Sequence, residues 1–256
     1  MEKDINYGTL LDLFLDFGEA MLTCGGEVNR TEDSISRMAR AYGATKTNVF
    51  VITSSIVLTM TFPKTGEITQ TRRILSVTGT DFQKLEKLNT LSRRVSENPV
   101  SAEILKTELK EISKPKISAL KQYLGSMLAA GGFAVFFGGN LWDAAVSALL
   151  GAFICLLQIK GSRLFPNKVF YYFFSSLATG LLICFSAMVF PVLNIDKIMI
   201  GDIMLLIPGV ATTTAARDML IGDTISGMQR LTESIIWAVA LAGGFMVSIT
   251  LTGGIG

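Results

Sequence analysis

Pro208-Gly209, followed at once by Thr212, Thr213 and Thr214, is the residue set in this chain best suited to hold a small polar solute within an apolar segment. Proline removes a helical hydrogen bond and clashes with the preceding turn, so a helix crossing this point is kinked or unwound. A helix restarting near Gly209 would aim N–H groups and the positive end of its dipole at the break, where a carboxylate could bind with threonine hydroxyls assisting. That chemistry is reversible binding, and a merely kinked helix is the plainer alternative. Unsatisfied backbone is costly in lipid, and broken helices survive there mainly against protein or a polar cavity. In carriers such breaks often mark the solute site.

Six ionisable groups flank this segment. Asp202 sits toward its outer part and Glu233 near the inner end of the next apolar run, while Arg217, Asp218, Asp223 and Arg230 crowd the mouth between them. A carboxylate at the centre of a membrane helix costs about 2.5–3.5 kcal/mol on insertion scales. The group could form an ion-paired gate, with Asp202 or Glu233 carrying a proton. Interfacial snorkelling and helix capping are the competing reading, above all for Arg217 and Arg230.

Several chemistries are absent. The chain has no histidine, which removes Ser-His and Cys-His catalysis and histidine metal sites. Cys24, Cys155 and Cys184 are single and far apart, so they read as packing residues. No phosphate-cradling glycine loop, nucleophile elbow or triad occurs. No catalytic residue, metal or cofactor is expected. The near-neutral charge, +2, gives no reason to expect nucleic acid as a partner.

Residues 1–118 carry 16 Lys/Arg and 15 Asp/Glu, against 7 and 6 in residues 119–256. A mixed-charge domain (1–116) therefore precedes a membrane domain (117–256), with the boundary near Lys114-Pro115-Lys116. A span needs about 20 apolar residues, and five candidates appear at about 120–138, 142–159, 169–190, 198–216 and 230–252. Lys110, Lys114, Lys116 and Lys121 precede the first span, and Lys160, Arg163 and Lys168 lie between the second and third. The positive-inside rule then puts the N-terminus in the cytoplasm, the 217–230 loop inside and the C-terminus outside. Met1-Glu2-Lys3-Asp4 has no basic region leading into a short apolar core, so no cleaved signal peptide is expected. Small residues recur at helical spacing (Ala144, Ala148 and Ala152; Ser234, Ala238 and Ala242), which predicts close helix packing.

In the first half, 7–24 reads as an amphipathic helix whose polar stripe, Asp12, Asp16 and Glu19, predicts a solvated face rather than a metal site. Gly25-Gly26 is a helix stop, and Asn29 with Glu32 resembles a capping pair for a helix through about Tyr42. Residues 47–54, 56–62 and 67–74 predict a small antiparallel sheet with a turn at Pro63-Lys64-Thr65-Gly66. Helices at 81–97 and 101–113 follow. The fold class is an α+β cytoplasmic domain followed by an α-helical polytopic membrane domain of five transmembrane helices.

CGGEVNRTEDSISRMARAYG (24–43), TQTRRI (69–74) and LLIPGVATTTAARDMLIGDTISGMQRLTES (205–234) together resemble, in order, the motifs of the bacterial threonine/serine exporter family. The resemblance covers nearly the whole chain. It singles out Gly25, Glu27, Arg30, Glu32 and Arg72 in the first domain. In the second it singles out Pro208, Gly209, Arg217, Asp218, Gly222, Asp223, Arg230 and Glu233. It implies a multi-pass protein of the bacterial inner membrane and export coupled to the proton gradient. Fused members have about ten spans, so five resemble the first component of the split form, whose second component is a separate small membrane protein. Split members are associated with succinate, fused members with threonine and serine.

The leading expectation is secondary-active export of a small carboxylate-bearing metabolite, either threonine/serine or a C4 dicarboxylate such as succinate. The expected partners are the solute, the bilayer and either a second small membrane component or further copies of the chain. The alternatives are a membrane-anchored hydrolase drawing on Glu27, Arg30 and Arg72, residues that read more readily as a structural ion-pair network, and a regulatory or sensor subunit of a membrane complex.

Overall fold

The computed structural model describes residues 6–74, 79–114, 118–165 and 167–253. Met1–Asp4 and Pro115-Lys116 of the expected boundary lie outside the described residues. The chain forms two compact units, Met1–Pro115 with Val210–Leu231 and Lys116–Gly209 with Thr232–Gly256.

The first unit opens with α1 (Tyr7–Thr23), capped by the Asn6 side chain, which accepts from Thr9 N at 3.2 Å. Leu10, Leu11, Phe14, Phe17 and Met21 recur at helical spacing and are fully buried. Each such side chain contributes about 1.5–3 kcal/mol of burial. A Cβ on Gly18 would stand 2.7 Å from Ile56 Cδ1, so the small residue lets the helix lie flush on its neighbours.

The helix ends in a Schellman turn. Gly25 takes a φ of 85°, Gly25 N–H bonds to Leu22 O and Gly26 N–H to Met21 O. α2 (Val28–Ala41) follows immediately. The Asn29–Glu32 capping pair does not form, because Asn29 is already inside the helix and Glu27 occupies the N-cap without a side-chain bond. Glu32 accepts from Val51 N at 2.8 Å instead.

β1 (Lys46–Ile52), β2 (Ser55–Phe62) and β3 (Gly66–Arg73) form an antiparallel sheet in the order β1-β2-β3. Ile56, Leu58, Met60 and Phe62 alternate onto the buried face. α3 (Phe82–Glu97) and α4 (Ala102–Ser113) complete the core through Leu88, Val95 and Leu105. Asp12, Asp16 and Glu19 are not merely solvated. Arg72 of β3 stands 3.7, 2.6 and 3.0 Å from the three carboxylates, tying the sheet to α1.

α9 (Gly209–Leu220) and the opening turns of α10 (Thr224–Leu251) also belong to this unit. The expected loop 217–230 therefore shrinks to a tight turn around Gly222. Apart from Asp223 its polar residues are helical, since a helix can run on past the apolar stretch that marks a span.

The second unit contains α5 (Ala119–Phe136), α6 (Leu141–Leu164), α7 (Lys168–Val189), α8 (Ile195–Leu206) and the remainder of α10. Among the described residues α6, α7 and α10 are each long and apolar enough to cross a membrane, and α8 with α9 adds a fourth candidate if the broken pair is one span. α5 falls outside that set, its first turns diluted by Lys121 and Gln122.

The small residues do bring helices close. A Cβ on Gly151 would lie 2.7 Å from Ser126 O, and one on Gly131 2.9 Å from the carbonyl of Ala144. At Asn140 a capping box starts α6, and the buried Asp143 also accepts from Asn194 N and Nδ2, at 2.8 and 2.9 Å.

Candidate functional site

Within the first unit, motif residues from opposite ends of the chain meet. The turn after α1 offers the Gly26 carbonyl and the Glu27 carboxylate. Arg230 of α10 donates from Nη2 to Gly26 O at 2.9 Å, and Arg217 of α9 donates from Nη1 to Glu27 Oε1 at 2.5 Å. Arg230 Nε also faces Asp218 Oδ2 at 3.4 Å, with Asp218 fully buried and Arg230 only 11% exposed. Beside them Thr53, in the β1–β2 turn, donates to Gln229 Oε1 at 2.5 Å.

Local sequence explains the arrangement. α9 closes in a second Schellman turn, with Gly222 at a φ of 100°, Gly222 N–H to Met219 O and Asp223 N–H to Asp218 O. The two positions that a hydrophobic contact often joins in this motif are both aspartates here. The turn therefore sets two carboxylates close together, and Arg230 neutralises part of that charge. Gly227 permits the close return of α10, because a Cβ there would stand 2.8 Å from Ala215 O.

Burial pushes the Glu32 carboxyl above its ordinary 4.5, the Val51 N–H opposes the shift, and the negative charge of Asp223 adds to it. The cluster thus combines Glu27, Glu32, Asp218 and Asp223 with Arg217 and Arg230. Among the described residues no group of His, Cys, Asp and Glu side chains could hold a metal ion. The arrangement can brace the α9–α10 elbow on the α1–α2 turn and can exchange protons.

The remaining expected residues stand elsewhere. Arg30 is exposed on α2, and Arg72 is engaged by the α1 carboxylates, so Glu27, Arg30 and Arg72 do not share one site. Pro208 separates α8 from α9, and Gly209 is the first residue of α9, its N–H directed to Ile207 O at 2.8 Å. Thr213 and Thr214 donate their hydroxyls to Val210 O at 3.0 and 2.8 Å.

Asp202 is fully buried in the second unit. Ser147 Oγ donates to its Oδ1 at 3.0 Å, and Oδ2 has no hydrogen-bond partner among the described residues. In the same unit Lys168 Nζ lies 4.6 Å from the Trp237 ring centroid, with Glu233 among the charges acting on it.

Sequence reading missed Thr53, Gln229, Ser147 and Asp143. Only Asp143 carried a local signal, the Asn-x-x-Asp spacing of a capping box.

The model of the ThrE family, described as "Putative threonine/serine exporter", matches residues 12–252. A curated relative, the "Probable threonine/serine exporter" of Mycobacterium tuberculosis (strain ATCC 25618 / H37Rv), is 22% identical over 254 residues. That alignment covers 96% of this chain and 47% of the relative, so the chain spans about half the relative's length. No solved structure matches the chain. The family match runs from the middle of α1 to the end of α10, and on that extent the chain belongs to the ThrE threonine/serine exporter family.

Proposed function

We propose that the chain is a membrane component for secondary-active export of a small carboxylate-bearing metabolite, threonine or serine first and a C4 dicarboxylate such as succinate as the competing solute. The observation that carries this reading is the break at Ile207-Pro208 in the α8–α9 pair, the one broken member among the membrane-spanning candidates found in the described residues. Family membership supports the same reading.

The hydroxyl of Thr214 favours an amino acid. A hydroxyl has one proton, and that of Thr214 is directed to Val210 O, so toward a solute it offers its acceptor lone pairs. Such lone pairs suit an ammonium or hydroxyl donor, both of which threonine and serine carry and succinate lacks. Asp202 is the coupling residue in this reading, because a carboxylate with a single hydroxyl partner in apolar packing is costly when charged. Five spans would make a thin wall for alternating access, so a second small membrane protein or further copies of the chain complete the pathway. The N-terminal domain lies in the cytoplasm of a bacterial cell, the C-terminus outside the inner membrane.

The ion-paired cluster favours a supporting role for that domain, holding the α9–α10 elbow rather than hydrolysing a substrate of its own. Competition in reconstituted vesicles tests the solute assignment. Unlabelled serine is expected to suppress labelled threonine efflux, succinate is not, and Thr214→Val is expected to weaken the threonine effect. Suppression by succinate alone would move the assignment to the dicarboxylate.

A further inference from the structure

The first unit has a concave surface that shares no residue with the Glu27–Arg230 cluster. It is a groove of about 560 Å³ between α1, α3 and α4, a volume within the range of small-molecule sites. Its floor is apolar, formed by Leu13, Ala20 and Leu109. Its rim carries Lys84 from the first turn of α3, Lys106 and Lys110 from α4, and Lys114 from the α4 C-cap. Lys106 and Lys110 stand one helical turn apart on α4, and Lys114 follows at its C-cap to form a basic stripe.

The carboxylates in the groove neutralise this stripe only in part, because Asp16 and Glu19 share one guanidinium. Asp16 and Glu19 on the α1 wall are both engaged by Arg72, at 2.6 and 3.0 Å. Lys114 pairs with Glu111. Among the described residues Lys84, Lys106 and Lys110 enter no ion pair. Lys84 does reach the Cys24 thiol, a weak acceptor that carries no compensating charge. Three ammonium groups therefore converge on a groove with an apolar base.

We propose that this groove binds a phosphate-bearing anion, with Lys84, Lys106 and Lys110 on the phosphate oxygens and an apolar portion of the ligand on Leu13, Ala20 and Leu109. Lysine acts on phosphate as a point charge with rotatable donors. The lysines lining the groove outnumber its two carboxylates, and a phosphate concentrates more than one negative charge on a single group that several lysines can reach at once, whereas a monocarboxylate supplies one. Two sources share this chemistry. One is a free phosphorylated metabolite. The other is the headgroup of an anionic lipid, since α4 ends at Ser113 and the membrane domain's first helix starts at Ala119.

The test is calorimetric titration of the full-length chain in neutral detergent with ATP, inorganic pyrophosphate, short-chain dioctanoyl phosphatidylglycerol and, as a phosphate-free control, succinate. Saturable binding of ATP or pyrophosphate supports the site with a free ligand. Binding of the short-chain lipid alone supports it with a headgroup. In either case Lys84→Gln/Lys106→Gln/Lys110→Gln is expected to weaken binding by at least about 100-fold, and Lys106→Gln alone by roughly tenfold. The single variant, on an exposed α4 position, keeps the test decisive if the triple fails to fold. No saturable binding by any phosphate probe, equal binding of succinate, or an unchanged affinity in Lys106→Gln would overturn the assignment.

Discussion

Glu27 and Arg217, 190 positions apart, share an ion pair of 2.5 Å that joins the turn after the first helix to the helix beyond the proline break. Arg217 is 62% exposed, so the pair contributes at most about 1 kcal/mol to stability. Its weight is therefore expected in transport rather than folding. Glu27→Arg or Arg217→Glu alone should reduce export several-fold with little change in melting temperature, and the double swap should restore most of it. An export rate indifferent to all three variants would remove the pair from the mechanism.

Arg230 and Asp218 predict an asymmetry. Arg230→Ala strands a buried carboxylate and abandons the Gly26 carbonyl, so it should destabilise by about 3–5 kcal/mol. Asp218→Asn removes the charge but keeps the shape, relieves repulsion from Asp223, and should lose less. Thermal unfolding in detergent decides between them. Equal losses would mean that the buried charge is not what Arg230 compensates.

Glu32 sets a pH dependence. Its folded pKa lies above the ordinary 4.5, so the folded state holds the proton longer than the unfolded chain does. Stability should fall as pH rises from about that ordinary value through the folded pKa, and the loss is complete above it. Glu32→Gln keeps an oxygen for the Val51 N–H and should flatten this slope. A slope unchanged in the variant would assign the titration to another group.

Asp202→Asn should leave the fold intact, because the amide oxygen can still accept from Ser147. Export driven by an imposed pH gradient should drop at least about tenfold, while exchange between labelled and unlabelled solute should persist. Full gradient-driven export in this variant would transfer coupling to another residue.

Much of the fold could be read from pattern alone. The period of Leu10, Phe14, Phe17 and Met21 gave α1 and its buried face, and Val/Ile/Thr-rich runs around Pro63–Gly66 gave two strands and their turn. What escaped was long-range. Glu32 looks like a local cap, and only the approach of β1 to α2 makes Val51 its partner. Arg72 can be read from its type as a member of an ion-pair network, but its partners on α1 appear only once β3 is laid against that helix. Hydropathy located the apolar part of α10 but not its polar opening at Thr224, and those turns hold Gln229 and Arg230. The motif residues were legible as residues. Their division into a brace in the first unit, a bridge from β3 to α1 and a buried Asp202 in the second required the structure.

The most direct measurement is efflux of labelled threonine from vesicles containing wild type or Pro208→Ala, with and without the second membrane protein that the reading calls for. The account predicts saturable threonine efflux that falls at least about tenfold in the variant. Efflux unchanged by Pro208→Ala, or no saturable threonine efflux from wild type in either preparation, would contradict it.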